Sequence, residues 1–308
     1  MAKKMRPRCE VMPLPNDQVA FLVDRTERLR WNFSDRYERP FFYPFAGPSG
    51  NSLVRMGHPG DWGHDHHRGV WFAHHNVEGR NFWANNTNNQ VRQKRWFVYD
   101  DHDDEAAMAM LLGWYDEHNA ELMEQEVIIR VRPAEANESL LSIQSTFTPK
   151  GSSLELGKTN FGFVAVRVAK AISEYFGGGT LTNSEGKVHE SEIFGQLAQW
   201  VDYSGANGDQ GELEGITYFC HPSNPMSPCR WHVREDGWMG ASLCFDEGIT
   251  IEKSKPLTLR YLMHAHAGAY NAKRASEIFN DYKNEVPLQI TKEKVKHRHY
   301  QLKEKKDA

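Results

Sequence analysis

The stretch HPGDWGHDHHRGVWFAHHN, His58 to Asn76, places six of the chain's fifteen histidines within nineteen positions. Imidazole titrates near pH 6.5 when unperturbed, so such a cluster can bind metal, move protons or pack. In an extended strand His64 and His66 point to one face while Asp65 and His67 point to the other. Two rings on one face can share a divalent metal such as zinc, iron, copper or manganese. His74, His221, His264 or His266 would then supply a further ligand. Two familiar metal patterns fail or fit poorly. The cupin barrel needs a glutamate where this chain has Val70 and Trp71. The HxD of an iron facial triad occurs only as His102 and Asp104, inside the acidic run DDHDDE, which reads as a solvated loop.

Acid/base chemistry asks less of the geometry. His66 or His67 can take or give a proton at neutral pH, and Arg68 beside them can hold a carboxylate or an oxyanion. The alternative for any single ring is packing, with a bond to a backbone carbonyl or a stack on Trp62, Trp71 or Trp83. For the whole HxHHR set between glycines, packing does not call for so many ionisable rings, and the stretch reads as functional.

The elements that must position these residues are strands. Segments such as VAFLVD, GVWFAHH, RWFVYD, MEQEVIIRVR, FGFVAVRVA, EGITYFCH and LTLRYLMHAH are rich in β-branched and aromatic residues, with Gly, Pro, Asn and Asp between them. No helical pattern is interleaved, so antiparallel pairing is expected: an all-β chain forming one large antiparallel two-sheet β-sandwich. One amphipathic helix is expected near the C-terminus, where Ala275, Ile278, Phe279 and Tyr282 fall at i, i+3, i+4 and i+7 and Asn271 can cap the start. It should pack on an edge or end of the sandwich. With no repeat and no linker, residues 1–290 read as one domain and residues 291–308 as a basic, solvated C-terminal tail.

Composition limits the function classes. The 308 residues are 39% hydrophobic and 12% aromatic, enough for a sizeable core. A net charge of -4 gives no basic footprint for nucleic acid outside the tail from Lys292 to Lys306. No apolar window is long enough to span a membrane, and the first residues carry no apolar run of secretory type. A cytoplasmic protein without membrane or nucleic-acid partners is expected. Cys9, Cys220, Cys229 and Cys244 include no CxxC pair and read as buried free thiols. GGGT, Gly177 to Thr180, lacks the lysine and helix of a phosphate loop and reads as a flexible turn.

Arg167 lies in the alternating strand FGFVAVRVA, sharing a face with Phe163 and Ala165. A lone arginine there needs either a ligand or a buried partner such as Glu126 or Asp202. His264 and His266 alternate onto one face and could complete what His64 and His66 begin. His221, in HPSNP, ends a strand where a turn can aim a side chain into a pocket.

With these residues in view, the chain resembles the methane oxygenase PmoA-like family. The resemblance starts at RPFFYPFAGPSG (Arg39 to Gly50) and is strongest in HDHHRGVWFAHHNVEGRNFW (His64 to Trp83). It continues around Arg167, Trp200 and Asp202, His221 and Asn224, and His266. Asp65, His75 and Glu78 stand where the family usually has proline, glycine and asparagine. Methane oxidation itself is rejected, because the subunit that lends the name is a membrane protein and no segment here spans a bilayer. The resemblance implies a galactose mutarotase-like supersandwich that holds a sugar on a broad sheet face.

The expected function is therefore a sugar-active enzyme of epimerase, lyase or hydrolase type. His66, His67, His221 and His266 are its candidate catalytic residues. Arg68, His74, Arg167, Trp200 and Asn224 are its candidate substrate contacts, Trp200 being the first choice to stack on a sugar ring. Two alternatives stand beside it: a metal-dependent enzyme with His64 and His66 as ligands, and a non-catalytic carbohydrate-binding protein. A free sheet edge could also pair two copies into a homodimer.

Overall fold

The computed structural model describes residues 6–305. Met1 to Met5 and Lys306 to Ala308, the first residues of the chain and the last of the expected tail, lie outside the described residues. Two large antiparallel sheets make the molecule. The nine-stranded sheet runs, in spatial order, Cys9–Leu14, Gln18–Val23, Thr26–Asn32, Phe41–Phe45, Val70–His74, Gly162–Arg167, Trp238–Ser242, Cys229–Arg234 and Leu197–Ala198. The eight-stranded sheet runs Thr180–Asn183, Trp200–Ala206, Leu213–Cys220, Leu257–Ala267, Ser139–Pro149, Glu121–Pro133, Ala106–Tyr115 and Gln90–Asp101. The expected all-β two-sheet architecture is what the chain adopts.

Alternation along the strands decides which side chains meet between the sheets. Val70 and Phe72, Val164 and Val166, and Met239 and Ala241 face the core from one sheet; Ile216 and Tyr218, and Leu259, Tyr261 and Met263, face it from the other. The intervening residues form two outer faces. On the nine-stranded sheet Phe41, Trp71, Ala73, Ala165 and Trp238 gather into a separate aromatic cluster with Trp83. On the eight-stranded sheet Trp200, Phe219 and Leu262 are covered by the helix Ala272–Tyr282.

That helix begins where expected, with the Asn271 side chain accepting a hydrogen bond from Arg274 N. Its apolar stripe packs on the broad sheet face through Ala275, Ile278, Phe279 and Tyr282, and not on an edge. The C-terminal segment also differs from expectation. Leu288–Val295 and Arg298–Glu304 pair as a hairpin, and Leu288, Ile290, Tyr300 and Leu302 pack on Phe97, Val98 and Ile128. Cys220 and Cys229 form a disulfide, whereas Cys9 and Cys244 are buried free thiols. Only the second pair matches the expectation of free cysteines. The bond joins the end of a strand in one sheet to the start of a strand in the other, a proximity the sequence spacing does not reveal.

Candidate functional site

The part of the histidine stretch that carries His64, His66 and His67 is a loop and not a strand, which begins only at Val70. Trp62–His64 is a single 3-10 turn capped by Asp61, whose carboxylate accepts from Gly63 N at 2.8 Å and lies 2.6 Å from His64 Nδ1. Backbone bonds from His67 N to His64 O and from Gly57 N to His67 O close the loop. Gly69 returns the chain to the sheet with φ 56°, and a Cβ there would sit 1.9 Å from Phe42 O, so glycine is required. The loop folds His67 down onto the outer aromatic cluster of the nine-stranded sheet.

There the rings converge. His67 is 5% exposed, with ring centroids 5.2 Å from Trp71, 6.1 Å from Trp83, 4.7 Å from Trp238 and 4.2 Å from His66. His64 lies 5.0 Å from His67 and 5.4 Å from His58. His67 Nδ1, Trp71 Nε1 and Trp238 Nε1 are all buried and without a hydrogen-bond partner. Burial, with the neighbouring His66 and Arg167 charges, drives the His67 pKa far below its ordinary value. Burial with Arg39 and His64 pushes His66 down to about 4, so both rings are neutral at pH 7.

An ion-pair network borders the cluster. Arg167, 1% exposed, grips Asp236 with both terminal nitrogens, at 2.5 and 3.0 Å. Burial alone would raise the Asp236 pKa, but the Arg167 hydrogen bond and charge hold it below the usual carboxylate range. His58 reaches the same carboxylate at 3.1 Å through Nε2, while its Nδ1 accepts from Gly60 N. The expected partners Glu126 and Asp202 are not used. Ala165 shares the outer face with Arg167, but Phe163 joins the core instead.

The remaining candidates divide. Arg68 stays beside the site, bound to Glu38 at 2.9 Å and lying over the Tyr37 ring. His74 points into the core, 0% exposed and stacked on Phe163, with Nε2 donating to Gly157 O; no substrate reaches it. Trp200 is a docking residue for the helix, touching Phe219 and Phe279 and donating to Tyr270 Oη, so it is no open sugar platform. Asn224 staples its turn to Arg260 through the backbone N–H and carbonyl of that residue. The His221 ring is enclosed on both sides, with an Arg260 terminal nitrogen 2.8 Å from Nε2 and the Ser223 backbone N–H 3.0 Å from Nδ1, so it serves as a structural latch. His264 and His266 lie on the outer face of the other sheet. The core therefore separates His221, His264 and His266 from His64, His66 and His67, and these sets do not meet.

The residues do not form a metal site: His64 and His66 lie in a turn and not side by side on a strand, and among the described residues no three His, Cys, Asp or Glu side chains are arranged to hold an ion. Sequence reasoning missed Trp238 and Asp236. The run RWHVREDGW carried a signal, since His232 and Trp238 alternate onto one face of a hairpin, but nothing in it tied that hairpin to the histidine loop.

Among solved structures, a GalM/aldose epimerase homologue from C. elegans is similar to the chain with a TM-score of 0.35 and 8% identity, over 85% of this chain and 99% of that one. No curated protein matches. A likeness at that level carries no functional argument, and the PmoA-like resemblance stays a resemblance. The sequence profile of a family described as "Family of unknown function (DUF6807)" matches residues 18–280. That span is most of the chain, and the protein belongs to this family.

Proposed function

We propose that the outer aromatic face of the nine-stranded sheet, beneath the His58–Gly69 loop, binds a sugar and that His66 acts there as a general base. The observation that supports this is the box around His67: indoles of Trp71, Trp83 and Trp238 with three buried nitrogens lacking partners. Each unmet buried group costs about 1–3 kcal/mol, so the face gains by accepting a ligand that supplies hydroxyls. A pyranose offers C–H faces to indole and hydroxyls to the ring nitrogens. The loop covers the box and would lift to admit it. Trp62, 87% exposed on that loop, is free to close over the ligand. His66, neutral at pH 7, can then take a proton from a hydroxyl or a carbon, with the Arg68 guanidinium near the developing negative charge.

An epimerase, lyase or hydrolase reaction is consistent with this. A non-catalytic sugar-binding protein is the second reading, favoured by the preponderance of indoles over free acid/base groups in the box. Ligand-observed NMR with neutral aldoses and uronic acids, followed by proton exchange in D2O, tests both. Binding should fall about tenfold in Trp238→Phe, which keeps a ring and loses the N–H. Exchange should stop in His66→Ala while binding persists. If no sugar binds, or Trp238→Phe binds as well as wild type, the proposal fails; if binding occurs with no exchange in either protein, the second reading holds.

A cytoplasmic location belongs to the same proposal. Among the described residues no helix is long and apolar enough to cross a membrane. The Cys220–Cys229 disulfide counts against a reducing cytoplasm, because such bonds persist in oxidising compartments. No nucleic-acid or membrane partner enters the proposal. An edge-paired homodimer is not carried into it either, because the long edge strand Gln90–Asp101 is broken by two bulges and carries Arg92, Lys94 and Arg95.

A further inference from the structure

A second cluster of ionisable groups lies on the opposite face of the molecule, under the start of the C-terminal helix. His264 Nε2 is 2.6 Å from Glu138 Oε2, and His266 Nε2 is 2.8 Å from Asp202 Oδ2. Both carboxylate side chains are 0% exposed. The two imidazoles are neighbours, with centroids 5.4 Å apart. Together with Thr217, Asn271 and Arg274 they line a cavity of about 220 Å³. At about 30 Å³ per water in the liquid, that is room for a molecule of three to five carbons.

The charges in this cavity cancel. Arg274 binds both oxygens of Glu138, whose Oε1 also accepts from Ala267 N at 3.0 Å. Asp202 Oδ2 accepts from Thr217 Oγ1 as well as from His266, while its Oδ1 is buried without a partner. Burial opposes a charge on His266, yet Asp202 holds its pKa above the ordinary value; burial lowers that of His264 despite Glu138. Each carboxylate therefore has a basic partner, Arg274 for Glu138 and His266 for Asp202. A free anion or cation gains nothing from such a wall, whereas alternating donors and acceptors suit hydroxyl groups. The Nε2–H of His264 is directed to Glu138, which leaves its Nδ1 to accept from a ligand.

We propose that this cavity is a second ligand site, selective for a small neutral polyol, with the His264–Glu138 and His266–Asp202 pairs as its hydrogen-bonding wall. Its ligand is bound by geometry separate from the indole box, so the two sites succeed or fail independently. Saturation-transfer NMR on the full chain with erythritol, D-threitol and the anion erythronate tests it. Ala269, exposed where it lines the cavity, gives a variant that blocks the site without touching either ion pair. Transfer to erythritol or threitol should be seen in wild type and in Trp238→Phe. It should weaken about tenfold in Ala269→Trp, and by a similar factor in His264→Gln. Thermal unfolding of Ala269→Trp should match wild type, so its loss of signal would report the site and not the fold. No transfer to either polyol, stronger transfer to erythronate, or unchanged transfer in Ala269→Trp would each overturn the proposal.

Discussion

Asp236 shows how a single carboxylate can organise a site. Its two oxygens take both terminal nitrogens of Arg167, and His58 reaches it from the loop above. Replacing it by asparagine leaves the Arg167 charge almost fully buried with no anion beside it. Asp236→Asn should therefore destabilise the protein by about 3–5 kcal/mol, the cost of orphaning a buried charge, and urea unfolding measures it. A loss below about 1 kcal/mol would mean that Arg167 finds water or another partner. Alternation put Arg167 on the same face as Ala165 but could not name its partner, which lies 69 positions away. The same limit explains Trp200 and Trp238. Both sit in alternating strands and face outward, yet one is covered by a helix and the other walls the histidine box. Periodicity says which residues face outward; it does not say what will cover them.

At the scale of elements, the C-terminal helix was legible because its apolar stripe and its cap are both local signals. What it docks against was not legible, since that requires the sheet. Tyr282 is the anchor: 2% exposed, it meets the His221 ring at 4.8 Å and lies beneath the Arg260 guanidinium. Just beyond it, Glu285 accepts from Arg130 at 2.5 Å and Arg132 at 2.6 Å, tying the helix end to the sheet. Tyr282→Ala should cost about 3–5 kcal/mol by leaving a cavity under the helix, read as a lower denaturant midpoint. A cost under about 1 kcal/mol would show that the helix end contributes little. The hairpin Leu288–Glu304 was missed for the opposite reason. Its lysines and glutamates dominate the composition, while the alternation of Leu288 and Ile290 with Tyr300 and Leu302 that seats it on the sheet is sparse. The histidine loop shows the reverse error. HxH spacing suggested a strand, but Asp61 and the glycines close the chain into a turn.

For the whole molecule, the many histidines make a statement about pH. His74, His221 and His232 are at most 4% exposed, and burial pushes each down to about 4. In the unfolded chain they titrate near 6.5. Between those values the unfolded state binds protons that the folded state refuses, so stability is intact above about pH 6.5 and falls as the pH drops toward 4. At pH 5 each group contributes a loss of about 2 kcal/mol, and the three together approach the net stability of an ordinary domain. His67 and His66 act in the same direction. His266 acts in the other, since its raised pKa stabilises the fold at low pH and that gain is lost as the pH rises through its folded value. One such group does not offset five. The lowered carboxylates Asp236, Glu38 and Glu285 lose their contributions only in a more acidic window, below about pH 4.5. Urea midpoints at pH 8.5, 7.5 and 5 should therefore be nearly equal for the first two and sharply lower for the third. His232→Asn should flatten that slope by about one proton. Midpoints that stay level down to pH 5 would mean that these histidines are protonated in the folded protein.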